Sequence, residues 1–177
     1  FRAGIERAPL GRVQVIQMKD LGEDLLVDLD SLERVHLVVR DNQRVHAGDI
    51  IIRSRGERAT SALVVAEPAC AIVAAPLFRI RVTSDGVDPA FLNWFINQPP
   101  AQAHFTTMAA GSHVKMIGKS ALETLPVDLP SLQRQKKLVE LARLSGRERT
   151  LTRDLQAARD RVLAAATMTY ARGGGAR

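Results

Sequence analysis

The chain has 177 residues and a formal charge of +6, with 46% apolar and only 4% aromatic side chains. That suits one domain of ordinary size plus an appendage, with a core built from Ile, Leu, Val and Ala. No run of about 18 apolar residues marks a transmembrane helix, and no signal-peptide pattern opens the chain. Cys70 is the only cysteine, which excludes an internal disulfide and points to a reducing cytoplasm and a structural thiol. Phe1 rather than Met stands first, so a longer natural N-terminus is expected.

Five strand candidates follow one another at hairpin-like spacings. "RVQVIQ" (12–17) alternates Val13 and Val15 with Arg12 and Gln14, and "VHLVVR" (35–40) is short and β-branched. "GDIIIRSRG" (48–56) runs from a turn pair into three isoleucines, and "SALVVAE" (61–67) follows. "LFRIRVT" (77–83) sets Phe78, Ile80 and Val82 against Arg79 and Arg81. A twisted, mainly antiparallel sheet or partial barrel is the simplest arrangement.

After Gly86 the period becomes helical. "DPAFLNWFINQ" (88–98) offers Asp88 as N-cap and Pro89 at the first helical position, with an apolar stripe of Phe91, Leu92, Phe95 and Ile96. Pro99 and Pro100 end that helix, and a second is expected before Gly111. "VKMI" and "LPVDLP" read as extended edges around a one-turn helical piece.

From Ser131 to about Tyr170 nothing but Gly146 interrupts a helical pattern. Leu141, Leu144, Leu151, Leu155, Ala158, Val162 and Ala165 keep three-four spacing, broken once by Glu148. That is a coiled-coil seam, and the expected partner is a similar helix. The fold class is therefore α+β. Residues 1–130 form a globular part, 131–170 a long dimerisation or spacer helix, and 171–177 a flexible tail. Residues 131–177 carry eleven basic and four acidic side chains, a balance of +7 that leaves −1 for residues 1–130. A neutral head on a basic helix points to a polyanion or an acidic protein as partner; a solvated helix face explains the charge equally.

Signatures of catalysis are missing. The chain contains no G-x-G-x-x-G, no G-x-x-x-x-G-K-[ST], no G-x-S-x-G and no N-P-P-[YF]. His36, His46, His104 and His113 are scattered, without metal-ligand spacing. Asp20, Glu23, Asp24, Asp28 and Asp30 read as an acidic surface loop, and Asp49 with Glu57 lacks the lysine of a two-metal nuclease. No catalytic residue, cofactor or metal is assigned.

Several segments carry a resemblance when taken together and in order. They are "VIQMKDL", "VHAGDIIIRSRG", "FLNWFINQPPAQAHF", "AAGSHVKMIGKSALETLPVDLPSLQRQKKLV" and the long terminal helix. The chain resembles, over nearly its whole length, a target-recognition domain of the DNA-specificity (S) subunit of type I restriction–modification systems. The most specific part is matched by Gly111, Ser112, Val114, Leu122, Leu125, Val127, Leu129, Pro130, Leu132 and Gln135. The chain departs from the family at Ser131 and Arg134, where a second proline and a glutamate are common. Ser131 can cap a helix, whereas Arg134 forfeits the capping-box carboxylate and opposes the helix dipole.

The resemblance implies a non-catalytic subunit that reads one half of a bipartite site in double-stranded DNA. It also implies helices that set the spacing, adenine methyltransferase (M) subunits docked on them, and the restriction/translocase (R) subunit as a further partner. One domain with one helix is half of that plan, so either a longer chain or a homodimer through the seam completes it. The residues expected to touch DNA are Arg53, Ser54, Arg55, Arg58, Thr60 and Ser61 around Gly56, then Gln17 and Lys19 of "QMKD", then Ser112, His113 and Lys115 of "GSHVK". A solvated hairpin turn is the plainer reading of each. Two other functions fit the same sequence: a stand-alone DNA-binding dimer, and an interaction module that never meets DNA.

Overall fold

A computed structural model describes residues 8–109 and 116–173. The chain divides into two compact units that meet between Val139 and Glu140. The first is mixed α and β. Strand β1 (Val13–Ile16) is central in one three-stranded sheet, between β2 (Glu33–Val35) on an antiparallel edge and β5 (Ala71–Val73) on a parallel one. Strand β3 (Ile50–Arg53) is central in a second sheet, antiparallel to both β4 (Ser61–Leu63) and β6 (Leu77–Ile80). Three of the four pairings are antiparallel, as expected, but there are two small sheets rather than one.

The isoleucine run explains how the layers assemble. Successive strand residues face opposite sides. Ile51 joins Ile16, Val45, Ala71 and Leu77 in the core shared by the two sheets. Ile50 and Ile52 point the other way, onto Ile96, Ala101, Phe105, Ile117 and Ala121 of the helical layer. All three are fully buried, so β3 has no solvent face.

That helical layer comprises α1 (Pro89–Ile96), α2 (Pro99–Met108) and the short α3 (Lys119–Glu123). Asp88 caps α1 as its sequence predicts: the carboxylate accepts from the N–H groups of Ala90 and Phe91. A buried polar network ties α1 to β4. Ser61 Oγ donates to Asn93 Oδ1 at 2.8 Å, and Asn97 Nδ2 donates to Ser61 Oγ at 2.9 Å. Asn93 Nδ2 also reaches the carbonyl of Leu25, whose φ of 65° is left-handed and unusual for a side chain of that size. The same carbonyl accepts the Leu63 N–H.

Two carboxylates are interior, one of them from a cluster expected on the surface. Asp20, from the acidic cluster, is buried. Asp49 is buried at the turn before β3; it accepts two hydrogen bonds from Arg81, at 2.6 and 2.7 Å, and one from the His46 N–H.

Helix α4 spans Leu132–Gly173. Its start is held from within the first unit by Gln135, which is fully buried. The Gln135 amide donates to the carbonyls of Gly86 and Pro130 and accepts the Asp88 N–H. The missing capping-box acid at Arg134 is thus offset by a tertiary anchor one residue later. In the second unit the helix continues through Gly146 without a break. Among the described residues, no helix is long and apolar enough to cross a membrane.

Candidate nucleic-acid interface

The arginine segment starts at the end of β3, and strand alternation sorts its side chains. Arg53 has the same parity as Ile51 and turns toward the first sheet. Its Nη2 donates to the carbonyls of Met18, at 2.9 Å, and Leu21, at 3.3 Å. Ser54 turns the other way; it is buried, and its hydroxyl donates to the Pro76 carbonyl at 2.6 Å. Ser61 is buried in the asparagine network described above. Arg53 Nη2 and the Ser54 and Ser61 hydroxyls are therefore already engaged inside the fold. Thr60 is half-buried, and its carbonyl accepts the Arg53 N–H.

Arg55 and Arg58 differ. Both are exposed, on either side of Gly56 and Glu57. Gly56 has a φ of 135°, a backbone state that side chains rarely adopt, so glycine is required for the chain to turn there. Among the described residues, neither guanidinium is paired with a carboxylate. A pocket beneath the loop is lined by Gln102, Phe105 and Thr106 of α2 and by Ile117.

The second candidate segment forms a 3-10 turn, Met18–Asp20, directly after β1. Its two donors converge on one acceptor. Gln17 Nε2 and Lys19 Nζ contact opposite oxygens of Glu33 at 2.9 and 2.6 Å. Glu33 lies on β2, and its side chain is largely covered while Lys19 stays half-exposed. The Asp20 carboxylate closes the turn by accepting the Gln17 N–H at 2.7 Å. Burial pushes the Asp20 pKa above the usual carboxylate value, opposed by that N–H bond and the charge of Lys19.

Of the third candidate, Ser112, His113 and Lys115 lie outside the described residues. The chain that follows them does not. Met116 forms an antiparallel bridge with Arg55, and the Ile117 N–H bonds the Ser54 carbonyl at 2.8 Å. Segments separated by some 35 and 60 residues therefore meet at the end of β3: the 17–21 turn through Arg53, and the 116–117 segment through Ser54 and Arg55. Glu33 was not among the residues singled out from sequence. An acid just before a short β-branched run gives no local sign that it will collect two distant donors.

On the helix, Leu141, Leu144, Leu151, Leu155, Val162 and Ala165 are exposed, and Ala158 is partly covered. Among the described residues, no cluster of three or more His, Cys, Asp or Glu could hold a metal ion. No family model matches the chain, and no curated protein matches it.

Proposed function

We propose that the chain is a DNA-reading specificity subunit, or half of one, of a type I restriction–modification system. In this reading it is non-catalytic and cytoplasmic. It grips one half of a bipartite site in double-stranded DNA and serves methyltransferase subunits, with the translocase as a further partner. Helix α4 pairs as a coiled coil, either with a second copy or with a second half of a longer chain.

The observation that supports the reading is that the Met18–Asp20 turn and the 116–117 segment both meet the end of β3, where Arg55 and Arg58 stand exposed and, among the described residues, without carboxylate partners. A loop at the end of a central strand that presents arginines beside a Gln–Lys turn has the donors needed for phosphate and base edges. The basic balance of residues 131–177 adds long-range attraction to a polyanion.

The test starts from a duplex selected from a randomised pool by the wild-type protein. Arg55→Ala with Arg58→Ala should abolish selective binding while leaving the melting temperature unchanged. If each arginine neutralises one phosphate, the slope of log K against log salt should fall by roughly 1.8. Unchanged affinity and slope would remove this loop as the interface, and failure to select any duplex would remove DNA as the ligand. Co-purification with a methyltransferase separates a restriction–modification subunit from a DNA-binding dimer acting alone.

A further inference from the structure

We infer that Arg53 is a positioning residue for recognition, a strut that holds the Met18–Asp20 turn, and with it Gln17 and Lys19, against the loop bearing Arg55 and Arg58. This rests on the DNA-binding reading above and adds to it a division of labour among the three arginines: two face the ligand, and one fixes the loops to each other.

The geometry supports a strut over a contact. Arg53 sits at the last position of β3, on the side facing the first sheet, and one nitrogen bridges two carbonyls at either end of the 3-10 turn. Its Nε is buried and has no hydrogen-bond partner. Among the described residues no carboxylate pairs with it. A half-buried cation held by neutral carbonyls alone, with one donor unsatisfied, is a poor device for stability. Departures of that kind tend to mark places where function sets the residue. Both bonds come from Nη2, so what holds the turn is the reach of the guanidinium, which the shorter lysine side chain does not match.

The turn is also held from its other side, since Glu33 on β2 takes the ends of both Gln17 and Lys19. Two strands of one sheet and one of the other therefore meet on a single turn. Donors fixed from two directions lose little freedom when a ligand arrives, which is how a scaffold turns flexible side chains into a selective pair.

The test is a double-mutant cycle on binding to the selected duplex, with Arg53→Ala, Lys19→Ala, the double variant and Arg53→Lys. Lys19→Ala should weaken binding in the wild-type background and add little once Arg53 is gone. Arg53→Lys, which keeps the charge, should fail to restore binding, with a loss of roughly tenfold. Hydrogen exchange supplies a readout that does not need DNA: the Asp20 and Asp28 N–H groups, bonded to the carbonyls of Gln17 and Asp20, should lose protection in both Arg53 variants. Additive losses in the cycle, or full rescue by lysine, would overturn the strut in favour of a direct contact. If the wild type selects no DNA, the functional reading falls and the exchange data decide the strut alone. Unchanged protection would then reject it.

Discussion

The side-chain oxygen of Gln135 accepts the backbone N–H of Asp88 at 2.8 Å, so the residue that anchors helix α4 is bonded to the residue that caps helix α1. The other end of the same amide spans the carbonyls of Gly86 and Pro130, at 2.9 and 2.7 Å. One buried glutamine thereby joins the turn before α1, the turn before α4 and α4 itself.

Replacing Gln135 with Ala removes that junction and takes the partner from the Asp88 N–H and the Gly86 and Pro130 carbonyls. A loss of about 2–3 kcal/mol is expected, larger than for an exposed glutamine. Urea unfolding should show a lower midpoint. A variant within error of wild type would mean that the three contacts are not maintained in solution.

Asp20 provides a pH-dependent check. Its folded-state pKa is raised, chiefly by burial, so the folded protein binds a proton more readily than the unfolded chain does. Stability attributable to this group is therefore greatest below its ordinary carboxylate pKa and is lost as pH rises through the raised value. Asp20→Asn should be more thermostable than wild type at neutral pH, and the difference should shrink toward acid. A difference that grows toward acid would mean that the carboxylate is stabilised by its partners more than it is penalised by burial.

The exposed leucines of α4 are tested by self-association. Leu151 and Leu155 are 58% and 52% exposed, which is unfavourable for apolar side chains left to solvent. Leu151→Asp with Leu155→Asp should abolish self-association in sedimentation experiments and leave the melting of the first unit unchanged. A wild-type chain that sediments as a monomer would leave pairing with a second half in a longer chain, or with a partner subunit, as the remaining roles of the seam.

Legibility in the sequence followed how local each determinant is. The cap of α1 is written in adjacent residues, Asp88 and Pro89, and was readable. So was β3, from its turn pair and isoleucines. Strand β5 was not, because "AIV" inside an alanine-rich apolar stretch shows no alternation, and its parallel pairing to β1 comes from more than fifty residues away. "VHLVVR" misled for the opposite reason. Its β-branched content favours a strand, yet pairing places Val35 opposite Val13, ends the strand there and leaves Leu37 and Val38 exposed.

At the candidate interface, burial divides neighbouring residues in a way the sequence shows only in part. Simple parity from Ile51 already turns Arg53 inward, so that signal was present in the sequence. The burial of Ser61 depends on Asn93 and Asn97, more than thirty residues away, and no count along β4 reveals it.

Leu25 gives the first unit a property that no single contact describes. A leucine in the left-handed region costs on the order of 1–2 kcal/mol, and here its carbonyl is gripped by Asn93 from α1 and by the Leu63 N–H from β4. The hairpin that contains it closes through the Leu21–Val27 bridge, and Leu21 is also a carbonyl partner of Arg53. The turn bearing Gln17 and Lys19 is thus linked to the helical layer through the Leu25 hairpin. A substitution of Asn93 in α1 would therefore be felt at the hairpin that carries Leu21.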